Sequence, residues 1–520
     1  MNYFIPSWYE DENSWNEKSQ LWFRQENKFE FDDVVNYLRI FNKSGINNQL
    51  LLTSYFPGLR HYLHRQRLTG ISVHSLFDDL QGIPDDFENI PLNYRDIDWP
   101  AGTDFVYNAF QIFIYQNGKM VQRLAQGIDG NIIYIEELNN SGQVKRKLLF
   151  DDRGFISRDD RLTPEGWKQD YLAPDGSVAF SVYPDDRVLV VDSQKSHTKQ
   201  TIYNNLSELI QEKLAQYIKN ITKNDMVFLS LDNFQSQILG KTLVNKEVEY
   251  VLSVFSNRLW VNNQLTQKLL NNAKLVLVDS DNNYSIVHEL SNTKVLQIPT
   301  FDTRFKLGES NHESMDKILF LVDGLSEIER LNAMSEIIGT LEEHSNYELH
   351  LLSFKGENKQ SELNNELLKL SSQLKVELPY VITDKPTMLS ENQTNTDDNP
   401  RNRAVFYHIV NSELDMFSIL KETRLVLNLG SNPNVYLQIA AISSGIPQIL
   451  TTSSLYLNNN KNGKVIENIS ENLGTAIDYY LLNLRNWNDS QLEAVRLISE
   501  YTGAKMIDKL KKSLLENKNG

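Results

Sequence analysis

Hydrophobic positions repeat along the chain with two different periods, and the change of period divides the chain into regions. Before residue 94 and again after residue 200, apolar runs of strand length alternate with stretches whose apolar residues recur every three or four positions. Such alternation is typical of β–α units that build a parallel sheet. In the first region the pattern predicts a strand, a helix, a strand and a helix at 2–5, 31–41, 49–55 and 59–68.

Between residues 105 and 191 the pattern changes to short runs separated by turn dipeptides. These dipeptides are Asn117-Gly118, Asp129-Gly130, Ser141-Gly142, Arg153-Gly154 and Asp175-Gly176. Asn-Gly and Asp-Gly between alternating runs are the strongest short-range signal for β-hairpins. We therefore predict an antiparallel meander of about six to eight strands. Asp is a common turn residue, so we expect three acidic pairs at its turns, namely Asp151-Asp152, Asp159-Asp160 and Asp185-Asp186.

Strands and helices alternate again in the second half of the chain. An amphipathic helix is predicted at 202–221, followed by strands at 226–231, 249–255 and 273–279. A second series of β–α units begins at residue 317, and a closing helix is predicted at 489–515. The elements between them are predicted at 317–323, 326–344, 347–354, 361–374, 404–410, 413–421, 424–429, 435–444 and 446–451. The Asn-rich stretch 388–403 predicts a long loop.

Two β–α regions that flank an inserted meander indicate a fold class. We predict an α/β protein of the GT-B type, with two Rossmann-like domains and an inserted antiparallel extended β-sheet domain. The predicted domains are 1–94 and 200–305 for the first Rossmann-like domain with its linker, 95–199 for the insertion, 306–488 for the second Rossmann-like domain and 489–520 for a returning helix.

Composition limits the compartment and the chemistry. The chain has 520 residues, 40% of them hydrophobic, so it has enough apolar side chains for several cores. It contains no cysteine, which excludes disulfides and thiolate metal sites. The opening residues have neither the basic region nor the apolar region of a secretory signal. The longest apolar runs are far shorter than the roughly 20 residues that span a membrane. We expect a soluble, cytoplasmic protein without a cofactor.

The charge balance disfavours anionic partners. The net charge is −16, whereas nucleic-acid binding depends mainly on neutralising phosphates with basic side chains. The densest basic patch holds Arg60, His61, His64, Arg65 and Arg67. We interpret it as a solvated helix face rather than a nucleic-acid or lipid site. His61 and His64 have helical spacing, but no second pair of ligands lies nearby in the sequence, so we predict no metal site.

Four segments resemble a known family. Residues 295–302, followed by Phe305, resemble the interdomain linker of retaining GT-B glycosyltransferases, and 425–450 with Gly445-Ile446-Pro447 resembles their donor-site segment. The meander resembles the extended β-sheet domain of glycosyltransferases that modify serine-rich-repeat adhesins. The opening MNYFIPSWYEDENSW with Trp22-Phe23 resembles the first accessory secretory proteins, the non-enzymatic GT-B homologues of the accessory Sec system of Gram-positive bacteria.

The resemblance implies partners and a cellular role. Members of this family act with the second and third accessory secretory proteins in a cytoplasmic complex. That complex serves a glycosylated serine-rich-repeat adhesin on its way to an accessory SecA-type motor and a SecY-type channel. The resemblance therefore implies a scaffold or chaperone in protein transport and secretion. It further implies peripheral, transient contact with the inner face of the membrane during export.

The resemblance also allows the donor site to be compared position by position. In active enzymes of this type a strand ends in Gly-Arg-Leu, and a Lys follows five residues after the Arg. These cations fall on Gly324 and Glu329, and Arg330 is one residue out of register. The two donor-site Glu residues, eight positions apart, fall on Asn432 and Ala440, while Gly430 begins a loop suited to a helix N-terminus. The comparison predicts a degenerate glycosyltransferase without catalytic residues that does not transfer sugar.

Three functions stay open from the sequence alone: a non-catalytic scaffold, an active glycosyltransferase acting on serine-rich repeats, and a module that binds glycan in the interdomain cleft. The opening aromatic residues are Trp8, Tyr9, Trp15, Trp22 and Phe23. Aromatic rings stack on sugars and anchor partner proteins, but they also pack in cores. We predict that either the meander or this aromatic segment binds a partner protein.

Overall fold

The structure is a computed structural model that describes most of the chain. The described residues are 1–9, 14–16, 32–88, 90–108, 110–127, 129–244, 248–256, 258–301, 308–310, 313–354, 359–383 and 403–516. Trp22, Phe23, Phe305 and nearly all of the predicted loop 388–403 lie outside these ranges. The chain divides into two compact units, of which the first consists mainly of Tyr37–Leu277 and the second mainly of Val295–Gly520.

A seven-stranded parallel sheet organises the first unit. Its strands are β1 Asn2–Ile5, β2 Asn48–Leu52, β3 Ser72–Ser75, β14 Met226–Ser230, β15 Tyr250–Val254, β16 Leu275–Val278 and β17 Val295–Gln297. Their order is β17-β16-β15-β14-β1-β2-β3. Strand β1 lies between β14 and β2 and pairs in parallel with both. Strands that precede and follow the predicted meander are therefore neighbours in one sheet, as an insertion requires.

Helices connect these strands in the manner of β–α units. They are α1 Asp33–Lys43, α2 Leu59–Arg65, α3 Leu76–Gln81, α4 Leu206–Tyr217, α5 Gln235–Val244, α6 Gln264–Asn272 and α7 Asp281–Leu290, with 3-10 turns at Tyr94–Asp96 and Ile218–Asn220. Strands β15 and β16 are buried along their whole length. Full burial is expected of parallel strands covered on both faces, and it explains their uninterrupted apolar sequences.

The inserted region forms one antiparallel sheet. Its strands are β4 Thr103–Tyr107, β5 Gln111–Gln116, β6 Lys119–Gln126, β7 Ile132–Leu138, β8 Val144–Phe150, β9 Ile156–Thr163, β10 Gly166–Leu172, β11 Val178–Val182, β12 Val188–Val190 and β13 Ile202–Tyr203. They lie side by side in chain order. At the turn between β5 and β6, Asn117 and Gly118 have φ values of 50° and 73°, as a two-residue hairpin turn needs.

The sheet has ten strands, more than the predicted six to eight. The additional strands include β12 and β13, which are only three and two residues long. The helix predicted at 202–221 is correspondingly wrong at its start. Ile202 pairs with Leu189 in the sheet, and α4 begins at Leu206 because the Asn205 side chain accepts a hydrogen bond from the Glu208 amide. Tertiary pairing thus overrides the apparent helical period of these residues.

The prediction that Asp159 and Asp160 lie at a turn is also wrong. Both lie within β9 and are buried. Asp159 receives two hydrogen bonds of 2.8 Å from Arg146 on the neighbouring strand, and Arg158 forms bonds of 2.8 and 2.9 Å to Asp160. Arginine partners make these carboxylates tolerable in a strand, whereas an unpaired buried carboxylate is costly.

The second unit is built on another seven-stranded parallel sheet. Its strands are β18 Asp316–Leu321, β19 Tyr347–Ser353, β20 Tyr380–Thr383, β21 Arg403–Ile409, β22 Thr423–Asn428, β23 Gln448–Leu450 and β24 Gly463–Val465. Their order is β20-β21-β19-β18-β22-β23-β24. The helices before the C-terminal segment are α8 Glu327–Glu343, α9 Gln360–Leu374, α10 Glu413–Glu422, α11 Val435–Ser444 and α12 Ile469–Leu481. Side chains from β18, β19, β22, α8, α9 and α12 share one hydrophobic core.

The C-terminal segment contains two helices rather than the single predicted helix. They are α13 Leu484–Glu500 and α14 Gly503–Glu516. The break follows from Thr502, whose carbonyl accepts the Met506 amide and begins a new helix. Tyr501, just before the break, is buried against the ring of Tyr456 at a centroid distance of 5.5 Å. Among the described helices, none has both the length and the apolar character needed to cross a bilayer.

A histidine pair in the second unit should make its stability depend on pH. His350 Nδ1 and His408 Nε2 lie 2.9 Å apart on neighbouring strands. Burial, followed by the charges of His350 and Lys317, lowers the pKa of His408 from 6.5 to about 4. Between these two values the unfolded chain binds more protons than the folded chain, so stability falls as the pH falls through this window. The loss is about 3 kcal/mol.

Denaturant unfolding of the second unit, followed between pH 7 and pH 4, measures this loss. In His408→Phe the pH dependence should shrink by most of that amount. His64→Phe is the matched control, because His64 is exposed on α2. Equal pH dependence in the wild type and in His408→Phe would contradict the prediction.

Candidate functional site

The segments compared with a donor site come together at one edge of the second sheet. Strands β18 and β22 are hydrogen-bonded neighbours, so the loops at their carboxyl ends, at Gly324 and Gly430, are adjacent. A Cβ atom on Gly430 would lie 3.5 Å from the Gly324 carbonyl oxygen. Next to Gly324, the Asp323 carboxylate accepts hydrogen bonds from Ser353 Oγ at 2.8 Å and from the Phe354 amide at 2.7 Å. These bonds fix the turn that leaves β18.

The position compared with the donor-site arginine needs a glycine. Gly324 has a φ of +79°, in the left-handed region that L-residues rarely adopt. A Cβ atom there would meet no heavy atom within 4 Å, so the obstacle is the backbone conformation and not lack of space. A side chain at this position would cost about 1–2 kcal/mol in backbone strain.

Glu329, at the position compared with the donor-site lysine, is committed to the start of α8. Its carboxylate accepts hydrogen bonds from the Ser326 amide and the Ser326 hydroxyl, both at 2.8 Å, while Ser326 Oγ accepts the Glu329 amide at 3.3 Å. This is a capping box. The hydrogen bonds from Ser326 lower the pKa of Glu329. The sequence signal for this role was the spacing of Ser326 and Glu329.

Arg330 does not replace the missing cation. Its side chain is buried and turned toward α9, where its Nε donates to Glu366 at 2.8 Å and a terminal nitrogen donates to Glu362 at 2.7 Å. The same nitrogen also donates to the second oxygen of Glu366. The hydrogen bonds to Glu366 are the main cause of the raised pKa of Arg330. One helical step of about 100° separates Arg330 from Glu329, so the two side chains serve different faces.

The loop and helix on the other side of this edge carry no acidic side chain at the compared positions. Asn432 is exposed in the loop, and Ala440 is buried within α11. Asn434 caps α11 by accepting the Leu437 amide at 2.9 Å. Asn428 at the end of β22 binds the amide and the carbonyl of Asn434, each at 3.1 Å. Asparagine side chains therefore hold the loop in place.

The described aromatic residues of the opening segment belong to the core of the first unit. Trp8, Tyr9 and Trp15 are 0%, 9% and 5% exposed. The Tyr9 hydroxyl lies 2.6 Å from Thr53 Oγ1 and donates to Gln235 at 2.5 Å, and the Trp15 indole donates to a serine at 3.0 Å. The structure agrees with core packing for these three residues and does not leave their ring faces available to a sugar.

A cluster of buried charges, which we call the Asp–Arg clamp, was missed by the sequence analysis. It contains Asp78 on α3, Arg60 on α2 and the turn residues Asp151, Asp152 and Arg153 between β8 and β9. Arg153 is 8% exposed and makes paired hydrogen bonds of 2.7 to 3.0 Å to both Asp78 and Asp151. The clamp therefore ties the antiparallel sheet to two helices of the β–α part of the same unit.

Part of the basic patch belongs to this clamp, so the interpretation of the patch as a solvated face is wrong for Arg60. Its guanidinium lies 3.0 Å from Asp152 and 3.4 Å from Asp151. The other oxygen of Asp152 accepts the amides of Arg60 and His61 at 2.7 and 3.0 Å, at the start of α2. Burial raises the pKa of Asp152 to about 6 in spite of these partners. His64, Arg65 and Arg67 are exposed, as predicted.

Comparisons with known proteins were made for the whole chain. The sequence model of one family, described as the first accessory secretory protein of the accessory Sec system, matches residues 1–517. The member of this family from Streptococcus gordonii is 30% identical over 99% of both chains. The member from Staphylococcus aureus is 28% identical over 100% of this chain and 99% of its own. These matches confirm the resemblance seen in the opening segment.

Solved structures give the same family and confirm the fold class. A glycosylation-associated protein complex from Streptococcus agalactiae contains a chain that is 30% identical, with a TM-score of 0.79 over 99% of this chain and 100% of that chain. The complex of accessory secretory proteins 1, 2 and 3 from Streptococcus pneumoniae contains one that is 26% identical, with a TM-score of 0.78 over 100% of both. The pneumococcal O-GlcNAc transferase, a GT-B enzyme, is 12% identical with a TM-score of 0.68 over 100% of this chain and 99% of its own, a likeness of fold alone.

Proposed function

The chain belongs to the family of the first accessory secretory protein of the accessory Sec system, and we propose that it acts as a non-catalytic subunit of an export complex. The observation that carries this proposal is the match over the full length of the chain to subunits of two solved complexes. The complex from Streptococcus pneumoniae contains accessory secretory proteins 1, 2 and 3. The partners that we propose are the corresponding second and third proteins.

The proposed complex works in the cytoplasm on a glycosylated serine-rich-repeat adhesin. It delivers the adhesin to the accessory SecA-type motor and touches the inner face of the membrane only transiently. The first subunit serves as a scaffold, with a chaperone role toward its cargo. Its net charge of −16 supports protein partners over nucleic acid.

The absence of catalysis is proposed from the chemistry of the second unit. A departing nucleotide diphosphate needs fixed cations or backbone amides to stabilise its charge. At the compared positions stand Gly324, in a backbone conformation that resists a side chain, and Glu329, whose negative charge caps a helix. Arg330 is occupied by two glutamates. Each of these residues has a structural role that is incompatible with binding a diphosphate.

The edge of the antiparallel sheet is the surface that we propose for a partner protein. Strand β4 is the terminal strand of this sheet and therefore has one edge without a neighbouring strand in the described fold. Val106 and Tyr107 on β4 are 50% and 58% exposed, and Phe110 in the following turn is 52% exposed. Exposed edge strands pair readily with a further strand, and aromatic side chains commonly anchor such interfaces. The proposed occupant is one of the two other accessory secretory proteins.

Substitution of this edge should weaken assembly. In Val106→Ser/Tyr107→Ser we expect affinity for the partner complex to fall at least about tenfold, because truncation of buried anchors typically costs more than 1 kcal/mol each. In cells that carry the accessory system, the surface level of the adhesin should fall with it. Leu492→Ser is the matched control, because Leu492 is 70% exposed on α13, in the second unit.

Binding of the purified proteins is measured by titration, and export is measured by surface labelling of the adhesin. Normal affinity of the double variant would reject the edge as the docking surface but leave the proposed complex intact. Normal export in cells that lack the chain altogether would contradict the proposed function itself.

A further inference from the structure

Three potential metal ligands, remote in sequence, meet where two helices of the second unit approach each other. Helix α8 ends at Glu343, His344 is its C-cap residue, and Asp478 lies in the last turn of α12. Each of these side chains offers one ligand atom, and the three atoms lie within 4.8 Å of one another. His344 and Asp478 are partly buried, whereas Glu343 is exposed.

The separation of two of these atoms matches a shared ligand shell better than a hydrogen bond. His344 Nε2 and Asp478 Oδ1 are 3.4 Å apart, beyond the usual length of about 2.9 Å for an N–H···O bond. Two ligands that bind one tetrahedral zinc at about 2.0–2.1 Å lie roughly 3.4 Å from each other. Asp478 Oδ1 is itself buried, and within the described part of the chain it has no hydrogen-bond partner.

A buried hydroxyl beside this cluster gives a second, independent indication of a ligand. Tyr347 is 4% exposed, and its hydroxyl has no hydrogen-bond partner among the described residues. Its ring lies 4.8 Å from the ring of His344. Burial raises the pKa of Tyr347, and the negative charge of Asp478 adds to the shift, so the hydroxyl is within electrostatic range of that carboxylate. Buried hydroxyl groups are rarely left unpaired, and a metal-bound water would supply the missing partner.

The electrostatic surroundings favour a cation at this place. Two carboxylates face a single histidine, and the end of α8 adds the negative partial charge of a helix C-terminus. A divalent ion would balance these charges and would let His344, Glu343 and Asp478 approach one another. Imidazole together with carboxylate oxygen is a common ligand set for zinc.

We propose that Glu343, His344 and Asp478 form a zinc site that joins the end of α8 to α12. A water molecule completes the tetrahedral shell beside the Tyr347 hydroxyl. The site has three protein ligands and one exchangeable position. In this place, away from the edge formed by Gly324 and Gly430, the ion is structural, and the inference does not depend on the proposed role in export.

Titration of the full chain tests the site directly. After treatment with a chelator, the protein competes with a chromophoric chelator for Zn²⁺, and Co²⁺ is used in parallel as a spectroscopic probe. We expect one Zn²⁺ to bind per chain, a tetrahedral Co²⁺ spectrum, and a zinc-dependent rise in Tm. In His344→Ala and in the nearly isosteric Asp478→Asn, affinity should fall by about tenfold to a hundredfold or more. His64→Ala, which removes an exposed histidine from the first unit, should bind as the wild type does.

Two outcomes would overturn the proposal. One is the absence of a tetrahedral Co²⁺ spectrum together with no zinc-dependent change in Tm in the wild type. The other is equal zinc affinity in the wild type, His344→Ala and Asp478→Asn. Asp478→Asn guards against a folding artefact, because an amide preserves the shape of the side chain while it removes the charge that the ion needs.

Discussion

Purified protein incubated with nucleotide-activated N-acetylglucosamine or glucose and a serine-rich acceptor peptide is expected to produce no glycopeptide. The charge-assisted hydrogen bonds that two donor-site cations would make are worth roughly 1.5–3 kcal/mol each, about 3–6 kcal/mol together. Their loss reduces donor affinity or rate by about 10² to 10⁴. Glu329 adds a negative charge where the phosphates would lie.

Restoring single residues should not restore transfer. Glu329→Lys removes the capping box of α8, which costs about 0.5–2 kcal/mol, and Gly324→Arg places a side chain on a backbone with a φ of +79°. Asn432→Glu/Ala440→Glu would add carboxylates without any cation. We therefore expect all three variants to remain inactive and the first two to unfold at lower denaturant concentration than the wild type.

Mass spectrometry of the peptide and a coupled assay for released nucleotide diphosphate measure the result. A reaction without protein sets the background, and the same assay with an active serine-rich-repeat glycosyltransferase shows that donor and acceptor are competent. A sugar-sized mass gain in the reaction with this chain would favour the alternative function, an active glycosyltransferase.

Arg153→Ala should destabilise the first unit by about 3–5 kcal/mol. The substitution leaves the buried Asp151 without its closest cation and removes both pairs of hydrogen bonds to Asp78. Arg60 cannot compensate, because it lies 3.4 Å from each of these carboxylates and already binds Asp152. Arg153→Lys should recover only part of the loss, since an ammonium group cannot form two planar pairs with carboxylates.

Denaturant titration with hydrogen exchange of the amides at 144–163 locates the effect. Arg187→Ala is the control, because Arg187 and its partner Asp185 are 64% and 54% exposed at another turn of the same sheet. Exposed pairs of this kind contribute at most about 1 kcal/mol. Equal stability of Arg153→Ala and Arg187→Ala would refute the role assigned to the clamp.

The elements that the sequence predicted well are those with strong, uninterrupted apolar patterns. The strand predicted at 347–354 is β19 Tyr347–Ser353, and the helix predicted at 435–444 is α11 Val435–Ser444. Periodicity alone decides such elements, because one face or both faces must be buried. The two-residue strand β13 and the break between α13 and α14 were missed, since a partner strand and the local cap at Thr502 determine them.

The candidate sites divide in the same way. The capping box of Ser326 and Glu329 is local, so its spacing was readable from the sequence. The Asp–Arg clamp joins Asp78 to Arg153 across 75 residues, and no spacing rule connects them. The same holds for His344 and Asp478. Polar residues from distant segments can be buried together only when each finds its partner, and that pairing is visible only in three dimensions.

Co-expression of the chain with the second and third accessory secretory proteins tests the central claim most directly. Only the third protein carries an affinity tag, and the purified material is analysed by size-exclusion chromatography with light scattering. We predict a single stable complex that contains all three chains and releases no nucleotide diphosphate from an activated sugar. Elution of this chain as a free protein, or transfer of sugar by the assembled complex, would contradict the account.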